Sequence, residues 1–143
     1  MKKIKNFSLA LFLAFGINIS NANTFVYDNI HEAQVQALEE AKLMLFFVVS
    51  NTCPYCHKLL NDTFNNKAFV DYLKKNFVVA VADLEGNGMI PADLKFNGVT
   101  PTTYILTPTG ILIGSPIEGA IDSDKLFSLL RGLEEYKKTQ LGF

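Results

Sequence analysis

Cys53 and Cys56, in the stretch "SNTCPYCHKLL", are the only two cysteines of the chain, and His57 follows the second directly. Thiols at this spacing serve thiol–disulfide exchange, attachment of a c-type haem, metal binding or a structural cross-link. Exchange needs one acidic thiol to attack a disulfide and a second within reach to release the product. The spacing meets the second need, because residues three apart share a helical face. The first is met if Cys53 opens a helix, where unpaired N–H groups and the positive end of the dipole stabilise a thiolate. Pro54 suits that position, since its missing N–H has no intrahelical role in a first turn and its φ is already helical. Cys53 is therefore the expected nucleophile and Cys56 the resolving thiol. His57 either stands near the sulfurs, where a protonated ring further acidifies Cys53, or faces solvent; both readings stay open. Tyr55 is either a contact for partners at the motif's tip or an ordinary exposed residue of a first turn.

The competing chemistries fit less well. A bond closing a four-residue loop removes roughly 2 kcal/mol of unfolded-state entropy, against about 3 kcal/mol for fifteen residues, so it is a weak staple. Zinc needs more ligands than the cluster supplies, since His31 is the only other histidine and no second cysteine pair exists; no metal site is expected. Cys-x-x-Cys-His is also the haem-attachment signature, with His57 as one axial ligand and Met89 available as the other. Against haem stands the context, a strand leading into a helix within an α/β chain, where small c-type cytochromes are helical.

The elements that must hold the pair can be read from periodicity. Asn29-Ile30-His31-Glu32 forms a capping box, and Ile30, Ala33, Ala37, Leu38 and Ala41 recur on one face, which predicts a helix over about 30–42. "LMLFFVVS", residues 43–50, is an unbroken apolar run and predicts a strand buried on both faces. After the motif, two helices are expected over about 54–63 and 67–75, with a cap at Asn65-Asn66. "FVVAVADL", residues 77–84, predicts another buried strand ended by Gly86-Asn87-Gly88. Residues 91–96 suggest a short helix, and "TTYILT" with "ILIG" a hairpin about Pro108-Thr109-Gly110. Asp122 or Ser123 then caps a last helix whose Leu126, Leu129, Leu130 and Leu133 share a face. Phe46, Phe47, Phe64, Phe69, Phe77 and Phe127 are core by spacing. Met89 and Ile90 lie in a glycine-flanked loop, as apolar anchors or as part of a docking surface. Asp83 reads as a strand-end cap, and Lys137 and Lys138 as a solvated helix end. The fold class is α/β, a mixed central sheet flanked by helices.

Residues 1–22 stand apart from this pattern. Lys2, Lys3 and Lys5 precede an apolar run from Phe7 to Ile19, and Ser20-Asn21-Ala22 places small residues where a signal peptidase reads. Export to the periplasm with cleavage after about Ala22 is expected, leaving residues 23–143 as one domain. About 13 apolar residues fall short of the roughly 20 that span a bilayer. Of the chain's 13 basic residues, three lysines leave with that segment; 10 then stand against 14 acidic residues, which argues against nucleic acid as a partner.

With the strand before the cysteines and "NGVTPTTYIL" about 45 residues later, the chain resembles the thioredoxin superfamily over nearly all of its length beyond the leader. The resemblance implies the thioredoxin fold, a Thr100-Pro101 bond that is cis and faces the cysteines, and backbone groups of Thr100 offered to an extended substrate peptide. It implies a redox-active Cys53–Cys56 disulfide with no other cofactor, and protein thiols and disulfides as substrates. The progression "CPYCHKLLNDTFNNKAFVDYLKKNFVVAVADLEGN" resembles exported relatives, including the electron-accepting domain of the Dsb-type transporter, and so implies a reductase fed by a Dsb-type membrane donor. Pro54-Tyr55 resembles glutaredoxins instead, and a proline there also opens the motif of Dsb-type oxidases. The alternatives are therefore an oxidase or isomerase of the same fold, and beyond them a non-catalytic peptide-binding module. Isomerases that dimerise carry an extra domain for which this chain has no length; a monomer is expected. Two features depart from cytoplasmic thioredoxins: the buried acid and the lysine of their proton relay are replaced by Phe47 and an apolar residue such as Val79, and no tryptophan is present.

Overall fold

The computed structural model describes residues 25–141; the expected leader and its cleavage site lie outside them. In chain order the elements are β1 (Val26–Tyr27), α1 (Ile30–Glu40), β2 (Leu43–Val49), α2 (Pro54–Asn65), α3 (Lys67–Asn76), β3 (Phe77–Asp83), β4 (Thr102–Leu106), β5 (Ile117–Glu118) and α4 (Ser123–Tyr136), followed by a wide π-type turn over Lys137–Leu141. The strands form one mixed sheet in the order β1-β3-β2-β4-β5. Strand β2 runs parallel to β3 and antiparallel to β4.

All seven residues of β2 are buried, as the unbroken apolar run requires of a central strand covered on both faces. Its odd-numbered side chains, Leu43, Leu45, Phe47 and Val49, pack with Cys56, Leu59, Phe69, Leu73, Leu126 and Leu130 from α2, α3 and α4. Its even-numbered ones, Met44, Phe46 and Val48, meet Ile30, Ala33 and Ala37 of α1. The period of two along the strand thus assigns the motif helix to one face and α1 to the other.

Caps set the helix ends. Asn29 accepts the His31 N–H at 2.9 Å at the start of α1, and Asn66 accepts the Phe69 N–H at 3.1 Å where α2 gives way to α3. Asp122 does the same for α4 through Asp124 N–H at 3.0 Å.

The structure corrects several expectations. Strand β1 is only two residues long, too short for alternation to reveal it. In α1 Leu38 is exposed, and Ala41 leaves the helix in the left-handed region at φ 51°, so the buried stripe is Ile30, Ala33 and Ala37 alone. Residues 91–96 form turns, not a helix: one hydrogen bond, Leu94 N–H to Pro91 C=O, cannot repay the nucleation cost. Leu94 and the Tyr104 hydroxyl, which donates to the Lys95 carbonyl at 2.9 Å, pin that segment instead. The hairpin turn at Thr107–Gly110 exists, but "ILIG" contributes a single bridge, Leu106 with Leu112. Gly114 at φ 72° breaks its extension, and the edge strand that pairs with β4 is Ile117–Glu118. Phe64 and Phe127 are only partly buried, and Leu129 of α4 faces solvent. Met89 is exposed, so Ile90 is the apolar anchor of its loop.

Candidate active site

The parallel pairing of β2 with β3 carries both strands to the same end of the sheet, and the chain leaves β2 there through Ser50, Asn51 and Thr52 into α2. Cys53 is the N-cap of α2 with extended backbone, φ −94° and ψ 109°, and Pro54 is the first helical residue. The Cys53 sulfur accepts the N–H of Cys56 at 3.2 Å. A cap position that usually holds a hydroxyl or carboxylate here holds a thiol, so the donors left free by the helix start point at its sulfur.

The other wall is the segment before β4. The Thr100–Pro101 peptide bond is cis, and the Cys53 thiol lies 3.5 Å from the Thr100 carbonyl, to which it donates. Thr102 donates its hydroxyl to the Val99 carbonyl at 2.6 Å, and Gly119 N–H donates to the Pro101 carbonyl at 2.8 Å, which fixes this segment from both sides. Both cysteines are free thiols; Cys53 is half-buried, whereas Cys56 is 1% exposed.

This environment separates the two thiols. For Cys53, burial is the largest single influence and pushes its pKa up, but hydrogen bonds with the side chains of Cys56 and Thr100 and with the backbone N–H groups of Cys56 and Tyr55 outweigh it and hold the pKa below the ordinary thiol value. For Cys56, burial pushes the pKa up, and hydrogen bonding to Cys53 adds to the rise. The two thiols are thereby split, Cys53 shifted toward the thiolate and Cys56 toward the protonated form. That is the asymmetry the exchange reaction uses.

The loop before Cys53 has its own bracing. Glu85 accepts hydroxyl hydrogen bonds from Ser50 and Thr52, each at 2.9 Å, and its own N–H donates to Asp83 at 3.0 Å. Asp83 thus acts at the strand end as expected. Glu85, which sequence reasoning missed, tethers the two loops at this end of the sheet; its only signal was its position just past a buried strand. Gly88 packs so closely on β3 that a Cβ there would lie 2.5 Å from the Asp83 backbone.

The remaining expected site residues divide. His57 Nε2 lies 2.6 Å from the Asn51 carbonyl and donates to it, so the ring ties the loop to α2. Tyr55 is 65% exposed beside the motif, and Val99 stands partly exposed before Thr100. Phe47 and Val79 are both fully buried on the Cys56 face. Among the described residues no group of three or more histidine, cysteine or acidic side chains is placed to hold a metal. No helix among them is long and apolar enough to cross a membrane.

The comparisons agree with this geometry. Residues 30–134 match a family model described as a thioredoxin-like domain. No curated protein matches the chain in sequence. In fold it is similar to a thioredoxin from Thermus thermophilus, with TM-score 0.61 and 20% identity over 82% of this chain and 92% of that one. It is likewise similar to a disulphide isomerase from Xylella fastidiosa Temecula1, with TM-score 0.56 and 15% identity over 73% and 88% of the two chains. A thioredoxin-fold protein from Helicobacter pylori has TM-score 0.55 and 22% identity over 69% and 73%. Fold and cysteine pair together point to thiol–disulfide exchange, and the match over residues 30–134 places the chain in the thioredoxin-like family.

Proposed function

We propose that this protein is an exported thiol–disulfide oxidoreductase whose main task is to reduce disulfides of partner proteins. The Cys53 thiolate attacks a partner disulfide, forming a mixed disulfide and releasing one partner thiol. Cys56 then attacks Cys53, the Cys53–Cys56 disulfide forms and the second partner thiol leaves, so two electrons pass to the partner. That disulfide is the only redox group the reading requires. A Dsb-type membrane donor restores the dithiol, consistent with a leader on residues 1–22 and a periplasmic site of action.

The observation that carries the reducing direction is the makeup of the Cys53 environment. Strong oxidants of this chemistry owe their potential to a heavily stabilised reduced form. The groups that acidify Cys53 are the Cys56 and Thr100 side chains and the backbone N–H groups of Cys56 and Tyr55, with no charged group among them. Stabilisation of the thiolate without a cation favours a low potential. An extended partner strand fits beside Thr100 and Pro101, with Tyr55 and Val99 supplying apolar contact at its edges.

Equilibration of the protein without residues 1–22 against dithiol and glutathione buffers, with thiol trapping, measures the potential of the pair. A value near that of thioredoxin, about −270 mV, supports the reductase; one near about −120 mV replaces it with an oxidase. Cys53→Ser separates both from a binding module: exchange is lost in an enzyme, whereas a module keeps its partner.

A further inference from the structure

We infer that Thr103 is a positioning residue for the resolving step, holding the water through which Cys56 loses its proton; the inference rests on the exchange reaction proposed above. Thr103 lies in β4 two residues beyond Pro101, is 0% exposed, and its hydroxyl has no hydrogen-bond partner. It stands directly across from Phe47 in the antiparallel register, and opposed residues share a face of the sheet. That face carries Cys56, Leu59 and Val79. This hydroxyl is thus one strand over from Phe47, and on the strand that forms the wall opposite Cys53.

A buried hydroxyl without a partner destabilises a fold, and valine has the same shape without that cost. Ser50, Thr52, Thr102 and Thr107 all have partners for their hydroxyls. Thr63 has none, but it lies seven residues along α2 from Cys56, about 10 Å along the axis, and so stands away from the sulfurs. Among the described residues Thr103 alone combines an unmet hydroxyl, the Cys56 face and closeness in sequence to Pro101.

The step needs such a group. Cys56 is buried, its pKa is raised, and it must become a thiolate to attack Cys53 of the mixed disulfide. As the Cys56–Cys53 bond forms and the bond from Cys53 to the partner sulfur breaks, the partner departs as a thiolate that must take up a proton. A water accepting from Cys56 and held by the Thr103 hydroxyl passes that proton toward the departing sulfur beside Pro101. The Cys56 proton ends on the partner thiol, and no external acid or base is consumed.

The test uses Thr103→Val and Thr103→Ser. Reduced protein is mixed with insulin as the disulfide probe, the mixed disulfide is trapped by acid quench, and capture and resolution rates are read separately with the pH profile of Cys53 alkylation. Thr103→Val should prolong the mixed disulfide at least about a hundredfold while leaving capture and the Cys53 profile unchanged, the lower end of what proton-transfer groups contribute. Thr103→Ser should resolve within about twofold of the unaltered protein. Resolution at the unaltered rate in Thr103→Val, or equal slowing in both variants, overturns the inference. Thr103→Ala replaces the valine variant should that one fail to fold. Failure of the exchange reading looks different: the unaltered protein itself forms no mixed disulfide through Cys53.

Discussion

Replacing Phe47 with aspartate, which installs an acid where cytoplasmic thioredoxins keep one, should cripple the fold rather than supply a relay. Phe47 is fully buried, and it is flanked in the sheet by Val81 and Thr103. Removing a buried phenyl ring costs about 3–5 kcal/mol through lost transfer energy and the remaining cavity. The new carboxyl, surrounded by apolar side chains, stays protonated at neutral pH. Holding a group of ordinary pKa 3.9 neutral at pH 7 costs roughly 4 kcal/mol, since each unit is 1.36 kcal/mol. One hydrogen bond from Thr103 returns about 1 kcal/mol. The sum, about 6–8 kcal/mol, consumes most of the 5–15 kcal/mol typical of a domain. The sign with pH is definite: a carboxyl whose folded pKa is raised penalises the fold increasingly as pH rises above the unfolded value, so the deficit should shrink by roughly 4 kcal/mol between pH 7 and pH 4. Urea unfolding of Phe47→Asp against unaltered protein at the two pH values measures both quantities, with Phe47→Leu as a control expected to lose less than about 1.5 kcal/mol. A loss under about 2 kcal/mol at pH 7, with no dependence on pH, would refute the reasoning by showing that the layer under Cys56 is hydrated.

Three further outcomes follow from the site. Iodoacetamide should label Cys53 at pH values below the ordinary thiol pKa of 9.0 and spare Cys56, whose pKa is raised. For stability of the dithiol form, the lowered pKa of Cys53 contributes above its folded pKa and is lost as pH falls through it, whereas the raised pKa of Cys56 lowers stability as pH climbs above 9.0. Unfolding midpoints of the reduced protein should therefore rise toward pH 9 and fall beyond it, and Cys53→Ser should remove the rise. Gly88→Ala forces a side chain against the Asp83 backbone and should cost about 2–3 kcal/mol, read as a lower melting temperature; an unchanged value would mean that the loop shifts freely.

Much of this molecule was legible in its sequence because local chemistry decides it. The apolar runs from Leu43 and Phe77 could only be central strands, and Asn29, Asn66 and Asp122 cap helices through their own side chains. Cys53, Pro54 and Cys56 specify a helix start whose cap is a sulfur, because spacing and proline's fixed φ act within one turn. The proposed order of attack between the two thiols rests on the same local geometry.

Whatever depends on what meets what across the sheet was decided by tertiary structure. The two-residue strands at Val26 and Ile117 exist only because a longer neighbour offers them hydrogen bonds. Leu38 and Leu129 fit their helical stripes by period but found no facing layer. His57 binds the Asn51 carbonyl because the loop folds back within reach, which no spacing rule states. Glu85 meets Ser50 and Thr52 from more than thirty residues away. Thr103 became significant only when register set it opposite Phe47 on the Cys56 face with its hydroxyl unmet. Sequence specifies which groups this chain has and how each turn presents them; packing decides which are left without a partner on the face that carries Cys56.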